Sequence, residues 1–187
     1  MHVSPYLKRL LLLLLIFRFA DSNAQGLFQS NQGRIHFVSE APLELIEAET
    51  ETFQIIVDTV KMAFAVTMQI ESFKGFNSAL QQEHFYENYM EIDLYPKAIF
   101  TGKILNSLSD NSKSSKVKVK GSLTIHGVEK QRVIEANFDW TEEGNLLVEA
   151  VFTVPLEDHE IEIPRIVYQK IAEEINVSVT ALLKPRN

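Results

Sequence analysis

Residues 116–125 read KVKVKGSLTI, and these ten positions decide the fold. Val117, Val119, Gly121, Leu123 and Ile125 share one face, while Lys116, Lys118, Lys120, Ser122 and Thr124 share the other. Strand side chains alternate between two faces, so this is a half-buried β-strand and not a helix. His126-Gly127 follows as a two-residue reversal, with glycine where a tight hairpin needs a positive φ. Alternation then resumes, with Ile134, Ala136, Phe138 and Trp140 set against Val133, Glu135, Asn137 and Asp139. After the turn Glu142-Glu143-Gly144-Asn145 come Leu146, Val148, Ala150, Phe152 and Val154, and the last strand carries Ile175, Val177, Val179, Ala181 and Leu183. Upstream, Met62, Phe64, Val66, Met68 and Ile70 alternate with Ala63, Ala65, Thr67 and Gln69.

Less regular candidates at 34–39, 43–48, 52–58 and 98–105 bring the total to about eight or nine strands joined by short polar links, the spacing of antiparallel hairpins. Two stretches break the rhythm. Residues 78–90 (SALQQEHFYENYM) hold no β-branched residue and place Leu80, His84 or Phe85, and Tyr89 or Met90 at helical spacing behind Asn77 or Ser78 as N-cap. Residues 164–173 (PRIVYQKIAE) open with proline at a first helical position and predict a short second helix. Residues 106–115 (NSLSDNSKSS) are polar and aperiodic, which predicts a loop. The expected fold is all-β: an antiparallel eight-stranded barrel with one or two short inserted helices, the alternative being a two-sheet sandwich.

Composition excludes several functions. Among 187 residues there is no cysteine, which removes disulfide scaffolds, zinc-cysteine modules and thiol nucleophiles. A net charge of −7 argues against a nucleic-acid partner, and 45% hydrophobic residues argue against disorder. Lys8 and Arg9 precede the apolar run 10–17, and ADSNAQ at 20–25 offers small residues for cleavage after Ala24. This layout predicts a secretory signal peptide over 1–24, a mature domain over 25–187, and a periplasmic or secreted location. The apolar run before Arg18 falls well short of the roughly 20 residues a span needs, so no stable membrane insertion is expected. Removing the leader makes the net charge two units more negative.

An eight-stranded barrel is just wide enough to be filled by its own side chains or to hold one small ligand. The inward faces mix bulky residues with Gly121, Ala136, Ala150 and Ala181, and no polar residue recurs on them. Any cavity is therefore apolar, suited to a long hydrocarbon and not to a sugar, nucleotide or peptide.

A denser signature appears at His84. EHFYENYMEIDLYPKAIFTGKI (83–104) and KGSLTIHGVEK (120–130) carry H-F-x-x-N-Y-M-E, Y-P-x-A-x-F and G-x-L-T-I-H-G-V in that order. This series resembles the YceI-like family of exported bacterial proteins, over about residues 33–184, and GRIHFVSEAPLELIEA (33–48) is similar to the Bacteroidetes branch. The resemblance implies a lipocalin-like barrel with an elongated apolar cavity that binds a polyisoprenoid or similar long-chain lipid, without established catalysis or cofactor. The chain departs from better-known members at 49–70, which lacks their usual lysine-histidine element, so no polar residue is assigned to a head group.

The leading expectation is an exported carrier or sequestering protein that buries an isoprenoid-like tail along Phe64, Val66, Met68, Ile70, Phe100, Leu123, Ile125, Phe138, Trp140, Val148 and Phe152. An envelope stress or interaction protein with a filled barrel is the alternative, and a homodimer is left open. A third class, an enzyme using His84, Glu87 or His126, finds little support. Asn88 stands where a zinc helix needs a second histidine, and His84, Tyr89 and Glu91 read as hydrogen-bonding ties between helix and barrel. The run Glu157, Asp158, His159, Glu160 and Glu162 reads as a solvated loop before a metal site, and Glu47, Glu49 and Glu51 as the wet face of a strand. Asn176-Val177-Ser178 matches a glycosylation sequon inside a strand and carries no functional reading.

Overall fold

The computed structural model describes residues 26–106 and 114–186. The expected leader lies outside these residues, as does the middle of the polar loop at 106–115. Eight strands form a closed antiparallel barrel in sequence order. They are β1 (Leu27–Glu40), β2 (Leu45–Asp58), β3 (Ala63–Gln69), β4 (Lys97–Ile104), β5 (Ser114–Ile125), β6 (Val128–Trp140), β7 (Leu146–Pro155) and β8 (Glu174–Pro185). β8 pairs back onto β1, which closes the barrel. Because each strand pairs with the next, the links alternate between ends. Those at 41–44, 70–96, 126–127 and 156–173 share one end.

β1 and β2 are longer than the sequence suggested, and β2 joins the two segments expected at 43–48 and 52–58. In β2 the buried positions are Ala48 and Thr50, then Phe53, Ile55 and Val57; in β1 they pass from Phe28 to Ile35. Pairing slips on both sides of Gln32. Bulges there reverse which parity faces inward, and that reversal made one strand read as two.

Gly102 and Gly121 face one another across β4 and β5. A Cβ on Gly102 would collide with the Lys120 carbonyl oxygen, and one on Gly121 with that of Thr101. Gly121 thus serves a close backbone approach and does not leave inward volume. At the β5–β6 reversal, His126 and Gly127 both take positive φ, 50° and 71°, the conformation of a two-residue hairpin turn.

The end where β1 begins and β8 ends is filled. Val57, Val117, Leu146 and Leu183 have at most 1% of their surface exposed, and Trp140 packs edge-on against Phe28 at 5.0 Å. Outside the barrel, Glu49 forms an ion pair with Arg34 and Glu47 lies within hydrogen-bond distance of His36, 3.2 Å from Nε2, as expected of a wet face.

The crossover at 70–96 contains α1, Ala79–His84, which continues as a π-turn over Phe85–Tyr89. Ser78 caps it by accepting from the Gln81 amide at 3.1 Å. Residues 164–173 do not form the expected helix, and only a 3₁₀ turn, Arg165–Val167, appears. Two tertiary bonds hold this strap in a run of tight turns across the end of the barrel: the Ala172 amide donates to Ser39 Oγ (2.9 Å), and the Leu43 amide donates to the Gln169 carbonyl (2.9 Å). The β-branched Ile166 and Val167 add little helical preference to oppose them.

Candidate functional site

At the end where the links at 41–44, 70–96, 126–127 and 156–173 gather, the barrel is not filled. A cavity of about 180 Å³, partly open to solvent, lies between the strand ends, the crossover and the strap. The barrel is therefore packed at one end and hollow at the other.

Of the residues singled out in the sequence, Met68, Ile70, Leu123, Ile125 and Phe152 line this cavity. Phe64, Val66, Phe100, Phe138, Trp140 and Val148 do not. They lie lower in the barrel, in or against the packed core, with Phe64 and Phe100 edge-on at 4.7 Å.

The sequence reading missed the roof. Phe73, Phe76 and Phe85 from the crossover face Phe37 of β1, and Phe85 lies 5.0 Å from Phe76 and 5.4 Å from Phe37. The π-turn brings Phe85, Tyr89 and Met90 to the cavity together, because the Met90 amide reaches back five residues to the Phe85 carbonyl at 3.0 Å. Leu156, Ile161 and Ile171 of the strap close the far side. The available signal was the phenylalanine density of ESFKGF, residues 71–76, outside any strand.

Polar groups are scarce in the lining and mostly engaged. Ser39 accepts from the strap, and Gln81 donates to Glu44 at 2.8 Å while accepting from the Asn77 amide. Tyr89 bonds no described residue, and burial raises the pKa of its hydroxyl, so the phenol stays neutral across the physiological range. Among the described residues, no aspartate, glutamate, lysine, arginine or histidine lines the cavity.

The residues weighed as catalysts stand elsewhere. His84 and Glu87 are exposed, and His84 bonds no described residue. His126 sits at the β5–β6 turn with Nε2 2.6 Å from Glu91 Oε2, Nδ1 3.2 Å from the His159 carbonyl, and its ring edge-on to Tyr95 at 4.8 Å. These contacts brace the hairpin against the crossover, so Glu91 makes the expected tie. Neither His84 nor Tyr89 makes the expected tie, and the Tyr86 hydroxyl braces the crossover internally, donating to the Phe73 carbonyl at 2.7 Å. His159 is fully buried, with Nδ1 donating to the Val128 carbonyl at 3.1 Å, and Asp158 pairs with Arg132 at 3.1 Å. The acidic run thus diverges, and among the described residues no three His, Asp or Glu converge on a metal position.

The arrangement can enclose hydrocarbon and little else. An apolar cavity of about 150 Å³ accommodates a benzene-sized guest. This one holds a ring or a short branched chain, and anything longer continues through the mouth.

The family model for the YceI-like domain matches residues 15–183. None of the curated proteins compared with the chain matches it. Solved structures share the fold. A polyisoprenoid binding domain from Saccharophagus degradans superposes with a TM-score of 0.72 at 12% identity, covering 86% of this chain and 99% of that one. Burkholderia cenocepacia BcnA gives 0.65 at 14% identity, covering 81% and 96%, and a Campylobacter jejuni YceI protein 0.56 at 19%, covering 73% and 81%.

Proposed function

The chain belongs to the YceI-like domain family, and on that premise we propose that it is a non-enzymatic, exported lipid-binding protein that carries or sequesters an isoprenoid-like tail. The observation that carries this reading is the lining of the cavity: almost wholly hydrocarbon, without a charged side chain among the described residues, with Ser39 and Gln81 already bonded and Tyr89 a neutral phenol. Such a surface gains free energy by excluding water, about 0.8 kcal/mol per buried CH₂. A sugar or nucleotide would lose its hydration without replacement bonds. The polyisoprenoid named for the Saccharophagus degradans domain is the same chemical class.

Export rests on the leader over residues 1–24, with cleavage after Ala24 and delivery to the periplasm or beyond. N-terminal sequencing of protein from its native host tests this, and a retained leader refutes it. The binding reading is tested by purifying the protein from that host, extracting it with organic solvent and identifying the extract by mass spectrometry. A long-chain lipid near one per chain is expected, and repeated recovery of none refutes the proposal.

A further inference from the structure

Large exposed apolar residues crowd one end of this barrel. Leu43, Leu45, Leu80, Leu94, Ile166 and Tyr168 all lie on or beside the links around the mouth, and Ile166 has 92% of its surface exposed. The links of the opposite end contribute only Val60 and Leu105 among the described residues. The mouth links are tied to one another: Asn77 donates to the Leu45 carbonyl at 2.8 Å, Gln81 to Glu44 at 2.8 Å, and the Leu43 amide to the Gln169 carbonyl at 2.9 Å. The residues therefore form a held rim around the cavity and not separate loose tips. Isolated exposed leucines need no explanation, but an apolar rim around an apolar cavity marks a contact surface.

We propose that this rim docks on the surface of a zwitterionic lipid bilayer, so that a hydrocarbon tail passes between membrane and cavity without crossing water. The inference rests on the proposed tail binding, since continuity between rim and cavity is what selects a bilayer as the occupant. Charge selects the kind of bilayer. The four mouth links carry eleven Asp or Glu against three Lys or Arg, which repels an anionic surface and suits one whose outermost groups are choline or ethanolamine cations. Attachment then comes from shallow apolar insertion, as for interfacial helices with exposed leucine and aromatic side chains.

The test is flotation of the mature domain, residues 25–187, whose eight strands close as a barrel, with phosphatidylcholine vesicles. The wild-type domain should float, and replacing a third of the lipid with phosphatidylglycerol should reduce its recovery. Leu43→Ser, Leu80→Ser and Ile166→Ser combined should lower partitioning at least tenfold, with unchanged melting temperature and unchanged uptake of a dissolved fluorescent prenyl probe. Ala98→Trp, which fills the cavity, should abolish uptake and still float. A wild-type domain that stays with the aqueous phase overturns the proposal, as does equal flotation of the triple variant. Sedimentation showing a wild-type dimer that the triple variant dissolves also overturns it, because the rim then faces a second copy. Normal flotation without probe uptake by the wild type refutes the tail-binding reading and leaves docking standing.

Discussion

Phe85→Ala should shift the preferred ligand toward longer chains while weakening the protein. Phe85 is the hub of the roof, 5.0 Å from Phe76, 5.4 Å from Phe37 and 6.1 Å from Phe73 between ring centroids. Its removal vacates the space of one benzene ring. Since a cavity of about 150 Å³ holds a whole benzene, losing one ring enlarges this cavity of about 180 Å³ by a large fraction of its volume. Truncating a buried phenylalanine costs about 3–5 kcal/mol, and the partly exposed Phe85 belongs near or below the lower bound.

A ligand one isoprene unit longer brings five carbons, worth up to about 4 kcal/mol at the usual free energy per methylene. Incomplete filling reduces this, but a relative gain of about 1.4 kcal/mol already means tenfold tighter binding. Displacement titrations with prenyl alcohols of two, three and four isoprene units provide the assay. The variant's optimum should move up by one unit as its melting temperature falls. An unchanged optimum, or uniform weakening along the series, refutes the assignment of Phe85 as the roof.

Three further outcomes follow. Gly121→Ala forces a Cβ against the Thr101 carbonyl, so destabilisation at or above the upper end of the about 1–3 kcal/mol typical of overpacking is expected in urea melts. Leu146→Ala, at a position with no exposure in the packed end, should cost about 2–5 kcal/mol yet leave the chain-length optimum unchanged, whereas a shifted optimum would show that the cavity reaches that end. Burial holds the pKa of His159 below its ordinary value of 6.5, so the unfolded chain binds a proton that the folded one resists. The resulting stability is complete above about 6.5 and is lost as pH falls toward the lowered folded value. The carboxylates with resolved shifts, Asp58, Glu135 and Glu143, are lowered and titrate below this window. Melting temperatures from pH 7 to 5 should therefore fall more steeply for wild type than for His159→Gln, and parallel curves would exclude the role.

Alternation along a strand reports which face of the sheet a residue occupies, and that much was legible. Inward positions of β3 and of β5 to β8 followed directly from period two, and the reversal at His126-Gly127 from its glycine. Alternation does not report height along the barrel axis, which depends on register and on where the ends are capped. Phe64 and Met68 stand on one face of β3, yet Met68 reaches the cavity and Phe64 the core. The bulges of β1 and β2 broke the period and hid Phe37 and Ile46 as cavity residues. The roof was illegible for a different reason. Phe73 and Phe76 sit in an irregular segment whose path is set by tertiary bonds, including Tyr86 to Phe73 and Glu49 to Lys74 through the backbone. The failed helix at 164–173 has the same origin, since Ser39 and Leu43, far away in sequence, take up the strap's polar groups.

The division of the barrel into a packed and a hollow end bears on how such a protein tolerates a cavity. A void of about 180 Å³, partly open to solvent, forgoes at most about 4 kcal/mol relative to a filled core, at the ~24 cal/mol per Å³ of an enclosed cavity. That is a large fraction of the about 5–15 kcal/mol that stabilises an ordinary domain. With no cysteine to cross-link it, the protein must recover the difference from packing elsewhere, and the buried Val57, Val117, Leu146 and Leu183 supply it away from the mouth. The hollow end is then free to be shaped by what enters it. Its roof rests on aromatic rings and a few hydrogen bonds at the crossover, so a guest displaces soft contacts and leaves the strand ladder intact. Recognition built this way reads the length and width of a hydrocarbon, and leaves the head group to the solvent and the rim.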